Sequence, residues 1–219
     1  MSMYKSLDES LILDLGCIDF SSAYEIQKEV FLQVKKGLFN KALIICEHNP
    51  VITLGRLSRK EDMLVSFDEL KERNIQVVFA DRGGRTTYHG PGQLVVYFIF
   101  NLEFFKKDLH YFLRYLEEKG ILFLSVFGVK GVRKAGFTGV WVDDKKNISI
   151  GIAVKNWITY HGMSINIKEE AVNNFSLIHP CGMDIKMVSL EQILQREISL
   201  WEAKQMFLSC FKNKEVVYV

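Results

Sequence analysis

The sequence is poor in proline, with 3 in 219 residues, and has no low-complexity tract. A long proline-rich linker is therefore excluded. Net charge is small: 28 Lys and Arg against 26 Asp and Glu leave +2. A chain built to coat nucleic acid carries a larger basic surplus, so no nucleic-acid partner is expected. No apolar run is long enough to span a bilayer; the longest uncharged apolar stretch, residues 94–100, reads as a strand, and no membrane partner is expected. The first ten residues have neither the apolar core of a signal peptide nor the Arg-rich, acid-poor pattern of a transit segment, so a cytoplasmic location is expected. The four cysteines (Cys17, Cys46, Cys181, Cys210) are scattered without a C-x-x-C pair, which argues against a disulfide scaffold or a zinc ribbon. The five histidines show no H-E-x-x-H spacing, so no metal is expected. Neither G-x-x-x-x-G-K-[ST] nor G-x-G-x-x-G occurs, and the phosphate-cradle and dinucleotide readings lose their usual support.

Apolar material is plentiful. Sixteen Phe and eight Tyr can fill a sizeable core, and the length suits one domain over residues 1–219. Residues 11–15, 42–46, 51–54, 75–80 and 94–100 read as strands, and residues 139–142, 147–154 and 157–167 as an antiparallel meander with charged turns. Residues 21–36 carry helical spacing behind a Ser pair taken as cap. Residues 67–73, 190–196 and 200–212 are further helices, and residues 108–119 a helix closed by Gly120. Residues 172–182 read as irregular. Strands cluster instead of alternating with helices, which predicts an α+β fold: a mixed, largely antiparallel sheet flanked by helices.

Four glycines fall within ten positions in Arg82-Gly83-Gly84-Arg85-Thr86-Thr87-Tyr88-His89-Gly90-Pro91-Gly92-Gln93. Glycine serves where φ is positive or where a ligand must approach backbone. A tight turn is one reading. The wealth of donors (Arg82, Arg85, Thr86, Thr87, His89) and the apolar strand that follows favour a rigidly held binding loop. Cys181, between Pro180 and Gly182, lies outside any apolar periodicity, unlike Cys17, Cys46 and Cys210, which read as buried fillers. A loop thiol can serve as a nucleophile through its thiolate. Lys145 and Lys146 read either as solvated turn residues or, if one is desolvated against a sheet, as a proton-transferring amine. His161-Gly162, inside an apolar strand, is either a core histidine or a place where a ligand lies on the backbone.

Taken together, these segments resemble the lipoyl(octanoyl) transferases, the LipB family, within the wider biotin/lipoate protein ligase-like superfamily. The resemblance rests on the glycine segment through Leu94, on Lys146-Asn147-Ile148-Ser149-Ile150-Gly151-Ile152, on His161-Gly162-Met163-Ser164-Ile165-Asn166, on Pro180-Cys181-Gly182 and on the upstream stretch from Glu47 to Arg56. It covers residues 40–190, and residues 130–137 also fit the pattern loosely. One departure is His179, where the family pattern has Asn. The resemblance implies a ligase-like single catalytic domain and an acyltransferase of lipoate biosynthesis. It moves octanoyl or lipoyl from acyl carrier protein through a cysteine thioester to a lysine of a lipoyl domain, in 2-oxoacid dehydrogenase E2 subunits and the glycine cleavage H protein. It implies Cys181 as acyl acceptor and Lys146 as its partner. The implied acyl-binding residues are Arg82, Gly83, Gly84, Arg85, Thr86, Thr87, Tyr88 and His89, then Ser149, Ile150 and Gly151, then Gly162, Met163 and Ser164. No cofactor is implied, and a monomer is expected.

The thermodynamics agree. Transfer between thioesters is nearly isoenergetic and onward transfer to an amine runs downhill, so no ATP is needed. Amides near Gly182 or Gly90 are both open as an oxyanion hole. Arg56, Arg59, Lys60, Arg82 and Arg85 are candidates for a basic patch that steers an acidic carrier protein. The alternatives are an ATP-dependent lipoate- or biotin-type ligase, and a non-catalytic acyl- or carrier-binding protein on the same scaffold.

Overall fold

The uncharged apolar run behaves as a strand covered on both faces. The computed structural model describes residues 2–5, 10–180 and 185–211, and in it Gln93–Phe100 is buried at every position. Because successive side chains point to opposite faces, Leu94, Val96, Phe98 and Phe100 join one apolar cluster while Val95, Tyr97 and Ile99 join another. A strand with one wet face would alternate with polar residues.

The strands are Ser2–Lys5 (β1), Ser10–Ile18 (β2), Lys41–His48 (β3), Val51–Leu54 (β4), Gln76–Phe79 (β5), Thr86–His89 (β6), Gln93–Phe100 (β7), Val132–Lys134 (β8), Phe137–Val142 (β9), Lys145–Lys155 (β10) and Ile158–Asn166 (β11). The main sheet has the order β1-β2-β3-β7-β11-β10-β9-β8, and a small sheet the order β5-β4-β6. In the main sheet β2 and β3 run parallel, and the other neighbours are antiparallel. This is the expected α+β class, with the predicted meander realised as β9, β10 and β11. The sequence reading passes over β1, over β8 and over β6, which is hidden inside the glycine segment.

Helix Phe20–Lys35 (α1) packs Ala23, Val30 and Val34 on one face of the main sheet, against Ala42, Ile44, Val95, Tyr97 and Ile99. It begins one residue before the predicted Ser pair. Its N-cap is Asp19, whose carboxylate accepts from Asn49 Nδ2 (2.7 Å) instead of capping. Phe67–Glu72 (α2) is capped by Ser66. The opposite face of the main sheet carries Leu109–Val126 (α3), capped by Asp108, and Leu200–Ser209 (α6), which bury Phe112, Leu116, Phe123 and Phe207. Gly120 does not end α3. A β-carbon there would lie 2.8 Å from Ile148 Cδ1 and 3.1 Å from Val140 Cγ2, so this glycine lets the helix approach the sheet. The terminating glycine is Gly128, at φ +74, after the C-cap Phe127. The stretch expected to be irregular begins with Glu170–Asn173 (α4) and a 3-10 turn, Asn174–Leu177; Leu190–Leu194 (α5) precedes α6. Cys46 and Cys210 are buried as expected, but Cys17 is exposed. It follows Gly16, at φ +61, and a register shift in β2 that breaks the alternation. Among the described residues no helix is long and apolar enough to cross a membrane.

Candidate active site

Lys145 and Lys146 part company at the start of β10. Lys145 is exposed, whereas Lys146 is only 3 % exposed. The Lys146 backbone is held twice. It pairs with Trp141 of β9, and its N–H and carbonyl bond Lys186 O (2.8 Å) and Val188 N (3.0 Å). Its Nζ lies 4.7 Å from the Trp141 ring centroid. The room it occupies exists because residue 139 is glycine: a β-carbon on Gly139 would come within 2.6 Å of Lys146 Cε and 3.2 Å of Nζ. Gly139, at φ +128, donates its N–H to Glu117 Oε1 (3.1 Å). Glu117, 1 % exposed, is itself bound by Arg114 (2.6 Å) and Arg133 (3.1 Å).

Lys146 lies on the wall of a cavity of about 500 Å³ between the two sheets. One wall is a patch of the main sheet. Ser149 pairs with Ser164 and Ser164 with Val95; one row on, Gly151 pairs with Gly162 and Gly162 with Tyr97. Two adjacent rows of small residues make a trough. The facing wall is the glycine segment of the small sheet. Of the residues assigned to binding, Arg82, Gly83, Gly84, Arg85, Thr86, Thr87, His89, Ser149, Ile150, Gly151, Gly162, Met163 and Ser164 all line this cavity. Tyr88 instead packs beneath the small sheet with Ile52, Leu70 and Phe175, its hydroxyl accepting from Asn174 Nδ2 (2.9 Å). Gly90 turns the chain into β7 and packs on that same hydroxyl: a β-carbon there would lie 2.0 Å from it. Cys181 and Gly182 lie outside the described residues, but Pro180 lines the cavity. The chain before Cys181 is tied to the small-sheet side, with His179 N–H on Asp62 O (2.8 Å) and Ile178 bridged to Met63. After residue 184 it is tied to Lys146 through residues 186–188.

The glycine wall is held by its own side chains. Arg82 turns inward, its Nη2 donating to Thr53 O and Oγ1 (both 2.8 Å). Arg85 clasps Asp62, which also accepts from Thr86 Oγ1 (3.1 Å) and Arg59 N–H (3.0 Å). Burial works against ionisation of Asp62, yet these donors, led by Arg85, hold its carboxyl below the usual range. Arg82 and Arg85 are thus committed to the wall and do not belong to a basic surface patch. Arg56, Arg59 and Lys60 remain exposed beside Leu57, which reaches the cavity. The wall's first residue is anchored by Asp81, which accepts from Tyr24 (3.0 Å), Tyr160 (2.5 Å) and His161 Nε2 (2.9 Å). The His161 N–H leads the groups that keep Asp81 well below the usual carboxylate range, against the effect of burial.

His161, at φ +59, interrupts the alternation of β11, so that Tyr160 and His161 both reach Asp81. At that end of the cavity the imidazoles are neutral. Burial pulls His48 down to about 4 and His89 to about 3, and lowers His161 against the opposing pull of Asp81. His48 Nδ1–H donates to Ile18 O (2.8 Å), leaving Nε2 to accept from the Tyr97 hydroxyl (2.5 Å). Phe20 stands among these rings, 5.6 Å from His48 and 6.3 Å from His89 between centroids. Sequence reasoning missed Phe20, Tyr97, Asp81 and Glu117. It also gave Gly139 no role, although an isolated glycine in a strand pattern signals close approach. Among the described residues no three His, Cys, Asp or Glu are grouped to hold a metal ion.

Residues 19–212 match the family described as "Lipoyl protein ligase A/B catalytic domain". The chain is 40% identical over 203 residues to the octanoyltransferase of Caldanaerobacter subterraneus subsp. tengcongensis, covering 92% of this chain and 88% of that protein. It is 38% identical to that of Syntrophotalea carbinolica, covering 92% of each. In three dimensions it resembles the bi-partite lipoate protein ligase of Thermoplasma acidophilum (TM-score 0.72, 14% identity, 91% of this chain and 81% of that one). It also resembles a lipoate-protein ligase A bound with ATP (TM-score 0.71, 13% identity, 91% and 83%). At these identities the structural likeness speaks for the fold.

Proposed function

The chain belongs to the octanoyltransferase family within the lipoyl protein ligase A/B catalytic domain, and on that premise we propose that its residues 1–219 form one catalytic domain that transfers octanoyl, or lipoyl, from acyl carrier protein to a lysine of a lipoyl domain by way of a thioester on Cys181. The observation that carries this reading is the buried Lys146 on the wall of a cavity of about 500 Å³, with Pro180, just before Cys181, lining that cavity and residues 186–188, after it, bonded to Lys146.

The chemistry balances in two displacements. The Cys181 thiolate attacks the thioester carbonyl of the donor; the bond to the carrier's sulfur breaks, and the carrier leaves as a thiol after taking a proton. The acceptor lysine's amine then attacks the new thioester. An amide forms, the bond to Cys181 breaks, and the proton released by the amine passes to the thiolate. Lys146 favours the thiolate as a cation and relays protons in both steps as its amine. Because it sits out of water, the influence of its charge within the cavity is little screened. The acyl chain occupies the cavity between the small-residue trough and the glycine wall. Burying one methylene is worth about 0.8 kcal/mol.

The donor docks on the rim formed by Arg56, Leu57, Arg59 and Lys60. Three exposed cations beside an apolar residue at the cavity mouth suit an acidic carrier protein. The acceptors are the lipoyl domains of 2-oxoacid dehydrogenase E2 subunits and the glycine cleavage H protein. We place the reaction in the cytoplasm, a reducing compartment that keeps a nucleophilic thiol free.

The test is intact-mass spectrometry after incubation with octanoyl carrier protein. One added octanoyl group is expected, mapped to Cys181 and absent from Cys181→Ala, with Lys146→Ala loading slowly. Full transfer by Cys181→Ala would refute the covalent route, and transfer from octanoate plus ATP would support a ligase instead.

A further inference from the structure

Resting on the acyl-transfer reading, we propose that the Phe20 ring is the end stop of the cavity and sets the length of the acyl chain that is transferred. The order of the sheet gives the cavity its two ends. Lys146 stands on β10 with its side chain leaning toward Trp141 of β9. Phe20 projects from the first turn of α1 over the far side, its ring 5.6 Å from His48 of β3. Between β10 and β3 lie β11 and β7, and the Phe20 ring also stands 6.4 Å from His161 of β11, which pairs with Ile152, six residues along β10 from Lys146. The floor between them is paved with Ser149, Ser164, Gly151 and Gly162 and offers an extended chain no obstacle. The first large groups met at the far side are Tyr97 and Phe20.

Phe20 is 2 % exposed and cannot retreat. Behind it, His48 is fixed by Ile18 O on one nitrogen and the Tyr97 hydroxyl on the other. At its sides, the His89 and His161 rings lie nearly parallel to it, at 6.3 Å and 6.4 Å. Phe20 presents a ring to the cavity between imidazoles that burial keeps neutral, as a hydrocarbon terminus requires, while the Arg82 guanidinium is turned onto Thr53. A chain too long for the space must displace a packed aromatic or leave methylenes outside. Phe20 lies outside every motif that carried the family resemblance.

The experiment compares initial rates of Cys181 loading from hexanoyl, octanoyl, decanoyl and dodecanoyl carrier protein, read by intact mass. The wild type is expected to favour octanoyl. Phe20→Ala should raise the decanoyl-to-octanoyl rate ratio about tenfold, the worth of two further methylenes accommodated. Phe20→Trp should move the preference toward hexanoyl. If Phe20→Ala does not fold, Phe20→Leu is expected to shift the ratio in the same direction by less. Ratios that match the wild type in both a smaller and a larger variant, with octanoyl loading intact, overturn the end stop and leave the transferase reading standing. A wild type that takes no acyl group from any donor overturns the transferase reading, and this inference with it.

Discussion

Lys146 shows how one small residue makes room for a long buried one. Its stem lies where a side chain on residue 139 would be, and Gly139 leaves that space open. Gly139→Ala adds a β-carbon within 2.6 Å of Lys146 Cε, at a φ of +128 that alanine rarely adopts. The amine must shift by about an ångström, and misplacement on that scale costs about 100-fold in rate. Single-turnover loading of Cys181 should show that loss; loading at the wild-type rate would mean that Lys146 has no part in the step. At this scale the sequence was legible where a motif marks its place by backbone and composition together, as in Gly83-Gly84 or Gly162-Met163-Ser164, all of which line the cavity. It was illegible for Asp81 and Phe20. Their roles depend on partners such as Tyr160, His161 and His48, which only folding brings near, and an aspartate or phenylalanine in isolation carries no periodicity that would announce them.

Among the elements, α3 does more than cover the sheet. Glu117, buried in its middle, accepts the Gly139 N–H and is held by Arg114 and Arg133, so it fastens the helix to the strand beside Lys146. Glu117→Ala leaves that amide without its acceptor, and stability should fall by about 1–3 kcal/mol, measured as a lower urea midpoint. Glu117→Gln keeps an acceptor oxygen and should lose less; equal losses would show that the amide bond is not what matters. The helix also explains a misreading. Gly120 follows a strong helical pattern, as a terminating glycine does, and the sequence cannot distinguish a cap from a glycine that admits the sheet. Only the facing Ile148 and Val140 decide it. The strand β6 was hidden for a related reason, since four residues amid glycines offer too short a run for period-two alternation to be seen.

For the molecule as a whole, the cluster of neutral histidines predicts how stability depends on pH. His48 and His89 are held at about 4 and about 3 by burial, while an unfolded chain returns them to near 6.5. Between those values the unfolded state binds protons that the folded state does not. Their contribution is therefore full above pH 6.5 and is lost as pH falls through the folded values, by several kcal/mol for the pair. Asp62 and Asp81, held low in the fold, add a second loss below the usual carboxylate range. Urea midpoints should decline steadily from pH 6.5 to pH 4.5, before carboxylates protonate. A flat profile across that interval would show that these imidazoles are not buried as described. The α+β class was readable at this scale because clustered alternating segments fix a sheet, whereas the division into two sheets with a cavity between them depends on strand pairings remote in sequence.

The glycine wall has one more consequence, for the chain's behaviour among its own copies. β10 outruns its neighbour: β9 follows it only as far as Ile148, and the margin beyond is the kind of open ribbon on which a foreign chain can grow. Gly83 N–H occupies that margin at Ile152 O (2.8 Å). The segment that shapes the pocket thereby also occupies, at Ile152, backbone that an added strand would need.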